Sequence, residues 1–377
     1  MRVGILTYYH ALNYGAYWQA CFLCNRLNQE EGIEAEIIDY HMKIEDYIYD
    51  YFHWPLYLKL FRFSKYKFRV ALKKVFLDAL NDECMKKSDD FCVSDSIDDF
   101  RNYVYGKYDV VIVGSDEVWK LDSFRGFPNP YWLNFELLGC RKLAYAVSSR
   151  SDFEKLNSLG QEMVISALED FEFISVRDSL TYDSVMRMVS DKRKVHMMCD
   201  PSFVYDYDIQ PASIRSILGK NIGLEPTKKN IVIMVTCKKI TKKIYKQLNK
   251  DYNLISTHFW YDKYINVAAS PKEWLQLIAN ADFVITDAFH GTCFSIVYNT
   301  PFLALGTPKK ASKIKELFLD NEEMKKYYIE CSENEFLGLN FQVLVEKLMT
   351  EVNFTSYVKA QRKSFDIFLN ALKNQEI

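Results

Sequence analysis

Short apolar runs alternate with longer amphipathic stretches along most of the chain, which is typical of α/β proteins. Strands are predicted at residues 3–8 and 33–40, and a helix at about residues 16–31 lies between them and ends before Gly32. The run DVVIV at residues 109–113 is of the kind that is buried on both faces of a parallel sheet. The same pattern predicts three more strands in the first half of the chain: residues 142–147, 173–176 and 196–199.

A less regular stretch at about residues 205–229 contains two prolines and two glycines and interrupts this alternation. After it the alternation restarts, with strands predicted at residues 230–236, 253–257, 283–286 and 301–305. We therefore predict an N-terminal Rossmann-like domain at residues 1–205, with a helical insertion at about 44–106, and a C-terminal Rossmann-like domain at 206–355. A last helix at 356–377 is expected to return to the N-terminal domain.

The fold class is thus α/β, with two Rossmann-like domains facing a cleft. A length of 377 residues agrees with two domains of roughly 150 residues or more. In such sheets ligands bind beyond the carboxyl ends of the strands, so the polar residues that follow each strand are the candidates for chemistry.

Charge and composition exclude several classes of protein. The chain has 48 basic and 50 acidic residues, and this balance, without a nucleic-acid-binding motif, argues against a nucleic-acid partner. Only 13 glycines and 9 prolines argue against collagen-like and disordered chains. The 26 tyrosines, 26 phenylalanines and 6 tryptophans fit either a core or a sugar-facing cleft.

Nine scattered cysteines include a single C-x-x-C pair, Cys21 and Cys24, which lies in an apolar stretch and favours buried thiols over a zinc or redox site. The six histidines show no spacing typical of metal ligands, so no metal is expected. Polar residues interrupt the N-terminal apolar stretch where a secretory signal would run, and no segment approaches the ~20 apolar residues of a membrane span. A cytoplasmic protein is predicted, with contact to the inner face of the membrane left open.

The segment at residues 54–74 carries seven basic residues and no acid, interleaved with aromatic and aliphatic side chains. One interpretation is a helix with one solvated face whose other side packs on the core. The alternative is a peripheral membrane helix, which would suit a lipid-linked saccharide acceptor.

Polar residues follow the predicted strands in both halves of the chain: Asn13, Ser115, Asp116, Ser148, Arg177, Asp287 and His290. Taken one at a time, Asn, Ser and Asp at such places are often helix caps. Arg177 and His290 are not favoured caps, and they are the stronger candidates for function.

The densest signal is the segment at residues 285–305, in which a turn at Asp287 to Gly291 leads into a helix predicted to begin near Thr292. Backbone N–H groups at a helix start, approached closely because Gly291 has no side chain, form an anion site. His290 at this place can add a charge or move a proton near neutral pH.

The chain resembles the polysaccharide pyruvyl transferase family. The matching segments occur in the family's order: GILTYYHALNYGAYWQA (4–20), DVVIVGSDEVW (109–119), NPYWLNF (129–135), LAYAVSS (143–149), ISVRD (174–178), DPSF (200–203) and TDAFHG (286–291). The resemblance implies a GT-B-like fold and transfer of a carboxyethylidene ketal from phosphoenolpyruvate to a sugar diol, with release of phosphate. It also implies a place in exopolysaccharide or capsule biosynthesis and no required cofactor.

The resemblance implies that Arg177, from the VRD segment, and His290 bind phosphoenolpyruvate, and we expect them to meet across the cleft. The residue types fit the reaction, with His290 as the acid and either Asp287 or Asp116 as the base. The expected substrate-binding residues are Arg177, Asn13, Tyr14, Gly15, Gly114, Ser115, Ser148, Arg150, Gly291 and Thr292.

Two departures from the family pattern bear on the donor site. Ala288 stands where many relatives have arginine, and Ser148-Ser149-Arg150 replaces the usual S-F-G. The donor carries roughly three negative charges, so cations must gather locally. We expect Arg150 to supply the missing charge, with Lys309 and Lys310 in reserve.

Two other functions remain open from the sequence. A nucleotide-sugar glycosyltransferase of this fold often has glutamates where this chain has His290 and Tyr298, which argues against that class. A non-catalytic saccharide-binding protein is favoured only by Ala288. The sequence does not predict the sugar, the hydroxyl pair, the ketal stereochemistry or the oligomeric state.

Overall fold

The computed structural model describes residues 1–49, 62–219, 222–257, 259–307, 311–319 and 321–374. The chain divides into two α/β units. The first unit contains Met1–Asp50, Leu80–Asp206 and Lys359–Ile377, and the second contains Tyr51–Ala79 and Tyr207–Val358.

The first unit is built on a parallel sheet with the strand order β2-β1-β5-β6-β7-β8. Its strands are β1 (Arg2–Leu6), β2 (Glu34–Ile37), β5 (Val110–Val113), β6 (Arg141–Val147), β7 (Phe173–Val176) and β8 (Val195–Met197). Two further strands, β3 (Tyr40–His41) and β4 (Cys92–Val93), pair with each other. The helices of this unit are α1 (Tyr14–Leu27), α2 (Lys43–Tyr49), α4 (Ile97–Val104), α5 (Ser158–Glu169), α6 (Ser179–Met188) and most of α14 (Thr355–Leu372).

The second unit repeats this architecture with the strand order β11-β10-β9-β12-β13-β14, again parallel. Its strands are β9 (Lys229–Met234), β10 (Tyr252–Ser256), β11 (Ile265–Asn266), β12 (Phe283–Thr286), β13 (Phe302–Gly306) and β14 (Tyr328–Glu330). Its helices are α3 (Phe63–Ala79), α7 (Ile214–Leu218), α8 (Lys238–Leu248), α9 (Pro271–Asn280), α10 (Phe289–Val297), α11 (Ala311–Glu316), α12 (Glu333–Gly338) and α13 (Phe341–Leu348).

The strands predicted from unbroken apolar runs are confirmed, because the central strands are buried on both faces. All four residues of β5, β7 and β12 are buried. The short strands β3, β4, β11 and β14 were not predicted. Helix α10 begins at Phe289 rather than near Thr292, and α1 begins at Tyr14 because the Asn13 side chain caps it.

The helical insertion predicted at residues 44–106 of the N-terminal domain is divided between the two units of the structure. Helices α2 and α4 belong to the first unit, whereas α3 belongs to the second. The buried side of α3 consists of Phe68, Leu72, Phe76 and Ala79, which recur at helical spacing. The ring of Phe68 lies 5.5 Å from that of Trp260 in the second unit.

Gly114 follows β5 at a point where only glycine fits. Its φ of +109° is a conformation that L side chains rarely adopt, and an added Cβ would lie 2.3 Å from the carbonyl oxygen of Tyr145. Gly114→Ala should therefore lower the free energy of unfolding by at least about 3 kcal/mol, from backbone strain and overpacking together.

Urea unfolding of the two proteins measures this difference. Gly139→Ala is the matched control, because Gly139 also has a positive φ, +72°, but in the described part of the chain no atom lies within 4 Å of the place that its Cβ would take. It should cost only about 1–2 kcal/mol. Equal losses in the two variants would contradict the role of the close contact.

Candidate functional site

The carboxyl edge of the first sheet gathers residues that are far apart in the chain. Strands β5, β6, β7 and β8 are parallel neighbours, with Val113 paired to Ala144, Val147 to Val176 and Val176 to Met197. The residues that follow these strands therefore meet at one edge. This edge brings Arg177 together with Ser115, Asp116 and Asp200.

The guanidinium of Arg177 contacts two carboxylates. Its Nη2 lies 2.9 Å from Oδ1 of Asp116, and its Nη1 lies 2.5 Å from Oδ2 of Asp200. The side chain of Arg177 is 4% exposed, that of Asp200 1% and that of Asp116 14%. Asp116 is therefore the member of this cluster that solvent or a ligand can reach best.

The electrostatics of this cluster keep Arg177 charged. Burial alone acts to lower the pKa of its guanidinium, but the negative charges of Asp200 and Asp116 outweigh it and raise the pKa above the usual value. A buried cation with two anions nearby is held rigidly, so Arg177 fixes the position of the Asp116 carboxylate.

Ser115 lies beneath this cluster and is completely buried. Its Oγ donates to the carbonyl oxygen of Ala146 at 3.0 Å, and its backbone N–H donates to Oε1 of Gln19 at 3.2 Å. Thr7 Oγ1 donates to the carbonyl oxygen of Ser115 at 3.1 Å. Arg177 Nη1 donates to Ser115 Oγ at 3.3 Å, so Ser115 is part of the framework that supports Arg177.

The segment Asn13-Tyr14-Gly15 forms the start of α1. Oδ1 of Asn13 accepts a hydrogen bond from the N–H of Gly15 at 2.9 Å, which is the action of an N-cap. Tyr14 and Gly15 are buried within the helix. Only the exposed Asn13 of these three candidates presents a polar side chain to solvent.

Ser148 and Arg150 follow β6. Ser148 is completely buried, and its Oγ has no hydrogen-bond partner among the described residues. Arg150 Nη1 lies 3.6 Å from Oε1 of Glu117, which offsets part of its charge. The compensation expected from Arg150 for the missing arginine at 288 therefore remains a prediction. The reserve cations Lys309 and Lys310 lie outside the described residues.

The carboxyl edge of the second sheet carries Asp287 and His290. Asp287 follows β12 and is completely buried, and its Oδ2 accepts hydrogen bonds from the backbone N–H of Thr236 at 2.8 Å and from Thr236 Oγ1 at 2.5 Å. Asp287 thus ties the turn after β12 to the end of the neighbouring β9.

His290 lies in the first turn of α10 and is half-buried against the ring of Phe289, with the centroids 5.2 Å apart. Ala288 is the N-cap residue and has no side chain that could cap the helix. Thr292 Oγ1 donates to the carbonyl oxygen of Ala288 at 3.2 Å. His290 is therefore held where the backbone turns from strand to helix.

Gly291 serves packing inside the second unit. An added Cβ there would lie 2.5 Å from Thr286 Oγ1 and 2.8 Å from Met234 Cε. The missing side chain therefore lets α10 pack closely on the ends of β12 and β9.

Three residues that the sequence did not connect lie together in the first unit. The rings of His10 and His41 stack with their centroids 4.2 Å apart, and His41 Nε2 lies 3.1 Å from Asp46 Oδ1. Burial, and then the neighbouring His41, lower the pKa of His10 to about 4. Stacked parallel rings cannot both aim a lone pair at one ion, so we assign no metal to this cluster.

Asp200 and Thr236 are the supporting residues that the sequence analysis did not single out. The DPSF segment contained the signal for Asp200, because an acid after a strand end meets the cation after the neighbouring strand. Thr236 gave no signal, since its partner Asp287 is 51 residues away.

The basic segment at residues 54–74 is described only from residue 62 onward, and 54–61 lie outside the described residues. The apolar side of α3 is occupied by packing within the second unit, as the first interpretation expected. Across the described ranges, no helix is long and apolar enough to cross a bilayer.

The polysaccharide pyruvyl transferase family matches residues 13–308 of the chain. This range includes both carboxyl edges, from Asn13 to Thr292. No curated protein matches the chain in sequence.

Among solved structures, the chain is similar to the UDP-GlcNAc 2-epimerase of Neisseria meningitidis bound to UDP-GlcNAc, with a TM-score of 0.56 at 10% identity over 100% of both chains. It is also similar to the UDP-GlcNAc 2-epimerase of Methanocaldococcus jannaschii, with a TM-score of 0.54 at 11% identity, covering 98% of this chain and 99% of that one. Likeness at such low identity shows the fold alone, which is α/β and GT-B-like.

Proposed function

The chain belongs to the polysaccharide pyruvyl transferase family, an enzyme family, and on this premise we propose that it transfers a carboxyethylidene ketal from phosphoenolpyruvate to a sugar diol. Phosphate is the second product. The acceptor is a saccharide, which we propose to be a polysaccharide or a lipid-linked oligosaccharide. The observation that carries the proposal is that the family match spans both carboxyl edges, where the titratable candidates lie.

The reaction places clear demands on the protein. A proton must be added to the methylene carbon of the donor, which makes the adjacent carbon electrophilic. One sugar hydroxyl attacks that carbon and gives its proton to the base, and phosphate then leaves with its bonding electrons. The second hydroxyl attacks the same carbon and loses its proton, which the released phosphate accepts. The site must supply an acid, a base and positive charge for the departing phosphate.

His290 is the proposed acid. A half-buried imidazole in the first turn of α10 can donate a proton to a ligand at the helix start. The positive end of the helix dipole at the same place favours an anionic ligand.

Asp116 is the proposed base, and the contacts favour it over Asp287. Asp287 is completely buried and bound by Thr236, whereas the Asp116 side chain is 14% exposed. Arg177 is then a positioning residue: it holds Asp116, and its own charge is balanced by Asp116 and Asp200. Asp287 is a positioning residue that holds the turn carrying His290.

Incubation with phosphoenolpyruvate and lipid-linked glycans tests the function. Mass spectrometry should show a glycan heavier by one pyruvyl group, together with released phosphate. A panel of nucleotide sugars under the same conditions should give no transfer. Sugar transfer from one of these donors, with no pyruvylated glycan, would replace the proposal with glycosyl transfer.

A further inference from the structure

A cavity of about 80 Å³ lies in the second unit, at the carboxyl ends of β9 and β10. Thr236 forms part of its wall and donates to Asp287, so the cavity lies beside the turn that carries His290. Its volume corresponds to about two or three water molecules, and such a space fits one compact anionic group.

Three cationic side chains line this cavity: Lys65, Arg69 and Lys238. Lys65 and Arg69 are four residues apart on α3, so they lie on the same side of that helix, and both are half-buried. Lys238 is the first residue of α8. Cations that share a cavity repel one another, and this cost is relieved when an anion binds among them.

Little negative charge lies near Lys65 and Lys238 in the described part of the chain. Among the described residues, neither Lys65 nor Lys238 forms an ion pair, and the acid that acts on Lys65, Asp262, accepts a hydrogen bond from the indole of Trp260. Burial, and then the charges of Arg69 and Lys238, lower the pKa of Lys65. Positive charge therefore predominates around the cavity.

The rest of the wall is aromatic and hydroxylic. Phe259, Trp260, Tyr261 and Tyr264 line it, together with Thr236 and Ser256. Aromatic faces can stack on a sugar or a base that is attached to an anion, and hydroxyl groups can bond its oxygen atoms.

We propose that this cavity binds the phosphate group of a phosphate ester, held by Lys65, Arg69 and Lys238. Binding itself does not depend on pyruvyl transfer, and only the identity of the ester rests on the proposed function. In that reaction the ester is either phosphoenolpyruvate or the diphosphate of a nucleotide- or lipid-linked saccharide. In either case α3 acts as part of a ligand site rather than as a surface helix alone.

Calorimetric titration of the full-length protein with pyrophosphate, phosphoenolpyruvate and UDP tests the proposal. Lys65→Ser and Arg69→Gln should each weaken pyrophosphate binding by about tenfold or more, which is typical for loss of a charged hydrogen bond. Lys67→Ser is the matched control because Lys67 lies on the exposed side of the same helix. It should change the affinity by less than about twofold.

Lys238→Ser, with the exposed Lys239→Ser as its control, repeats the test on a different helix in case a change in α3 disturbs folding. If the charge variants also weaken binding of phosphoenolpyruvate but not of UDP, the donor is the ligand. If they weaken binding of UDP but not of phosphoenolpyruvate, the ligand is a diphosphate-linked saccharide. No binding of any probe, or equal loss in test and control variants, would overturn the proposal. If no pyruvylated product forms but the charge variants still weaken binding of the phosphate probes, the anion site is supported and the proposed reaction is wrong.

Discussion

His290→Ala is expected to lower the rate of pyruvyl transfer by about 10²–10⁴-fold, because a positioned general acid contributes this much to catalysis. The imidazole lies in the first turn of α10, whose position Asp287 and Gly291 fix through contacts with Thr236, Thr286 and Met234. Alanine keeps the helix and removes only the proton donor. The rate of phosphate release with saturating donor and acceptor measures the effect.

His196→Ala is a suitable control for loss of an imidazole. His196 is partly buried and stacks on Phe173, with the ring centroids 4.4 Å apart, so its removal should alter stability slightly and the rate hardly at all. His290→Gln should be nearly as slow as His290→Ala, since an amide does not donate a proton to carbon. Near-normal turnover in either His290 variant would show that another group is the acid.

Arg177→Met should reduce the free energy of unfolding by about 3–5 kcal/mol, because it leaves buried carboxylates without their counter-ion. Asp200 is the main cause, since its side chain is 1% exposed and lies 2.5 Å from the guanidinium. The free energy of unfolding of Arg177→Lys should lie between that of Arg177→Met and that of the unaltered protein. A single ammonium group keeps the positive charge but cannot contact Asp116 and Asp200 as the planar guanidinium does. Urea unfolding followed by circular dichroism gives the values.

The double variant Arg177→Met with Asp200→Asn separates charge from packing. It should be more stable than Arg177→Met alone, because the unpaired charge is gone and asparagine keeps an oxygen for the N–H of Ser202. A double variant less stable than Arg177→Met would mean that the ion pair with Asp200 is not what Arg177 contributes. All variants at this position should also lose activity, since Asp116 loses the group that holds it.

The strands could be anticipated where burial dictates the sequence. Strands such as β5 and β12 are covered on both faces, so all of β5 and all of β12 except its last residue, Thr286, are apolar, and the runs are visible in the sequence. Short edge strands such as β11 and β14 lack this signal, because two or three residues show no period. The unit to which α3 belongs could not be predicted either, since the apolar pattern of Phe68, Leu72 and Phe76 does not say which surface it packs against.

The candidate site was predictable in position but not in its contacts. Placing Arg177 and His290 after strand ends follows from the fold class. Whether Arg177 faces a ligand or its own carboxylates depends on other strands of the sheet. Asp200 follows the neighbouring β8, 23 residues away, and Asp116 follows β5, which is two strands from β7 and 61 residues away. The acid of the DPSF segment is a sequence signal for one partner of that charge, Asp200, but the contact of Arg177 with Asp116 is visible only in the structure.

The return of α14 to the first unit bears on how the protein is made. Phe365 and Phe368 of this helix pack on Tyr145 of β6, and Arg141 Nη1 donates to the carbonyl oxygen of Leu372 at 2.7 Å. The ribosome synthesises most of this helix only after residues 207–358 of the second unit, which take about 8–30 s at roughly 5–20 residues per second. Until α14 has been made, the face of the first sheet that contains Tyr145 is not covered by this helix. Nascent and truncated chains therefore expose an aromatic surface of the kind that chaperones bind.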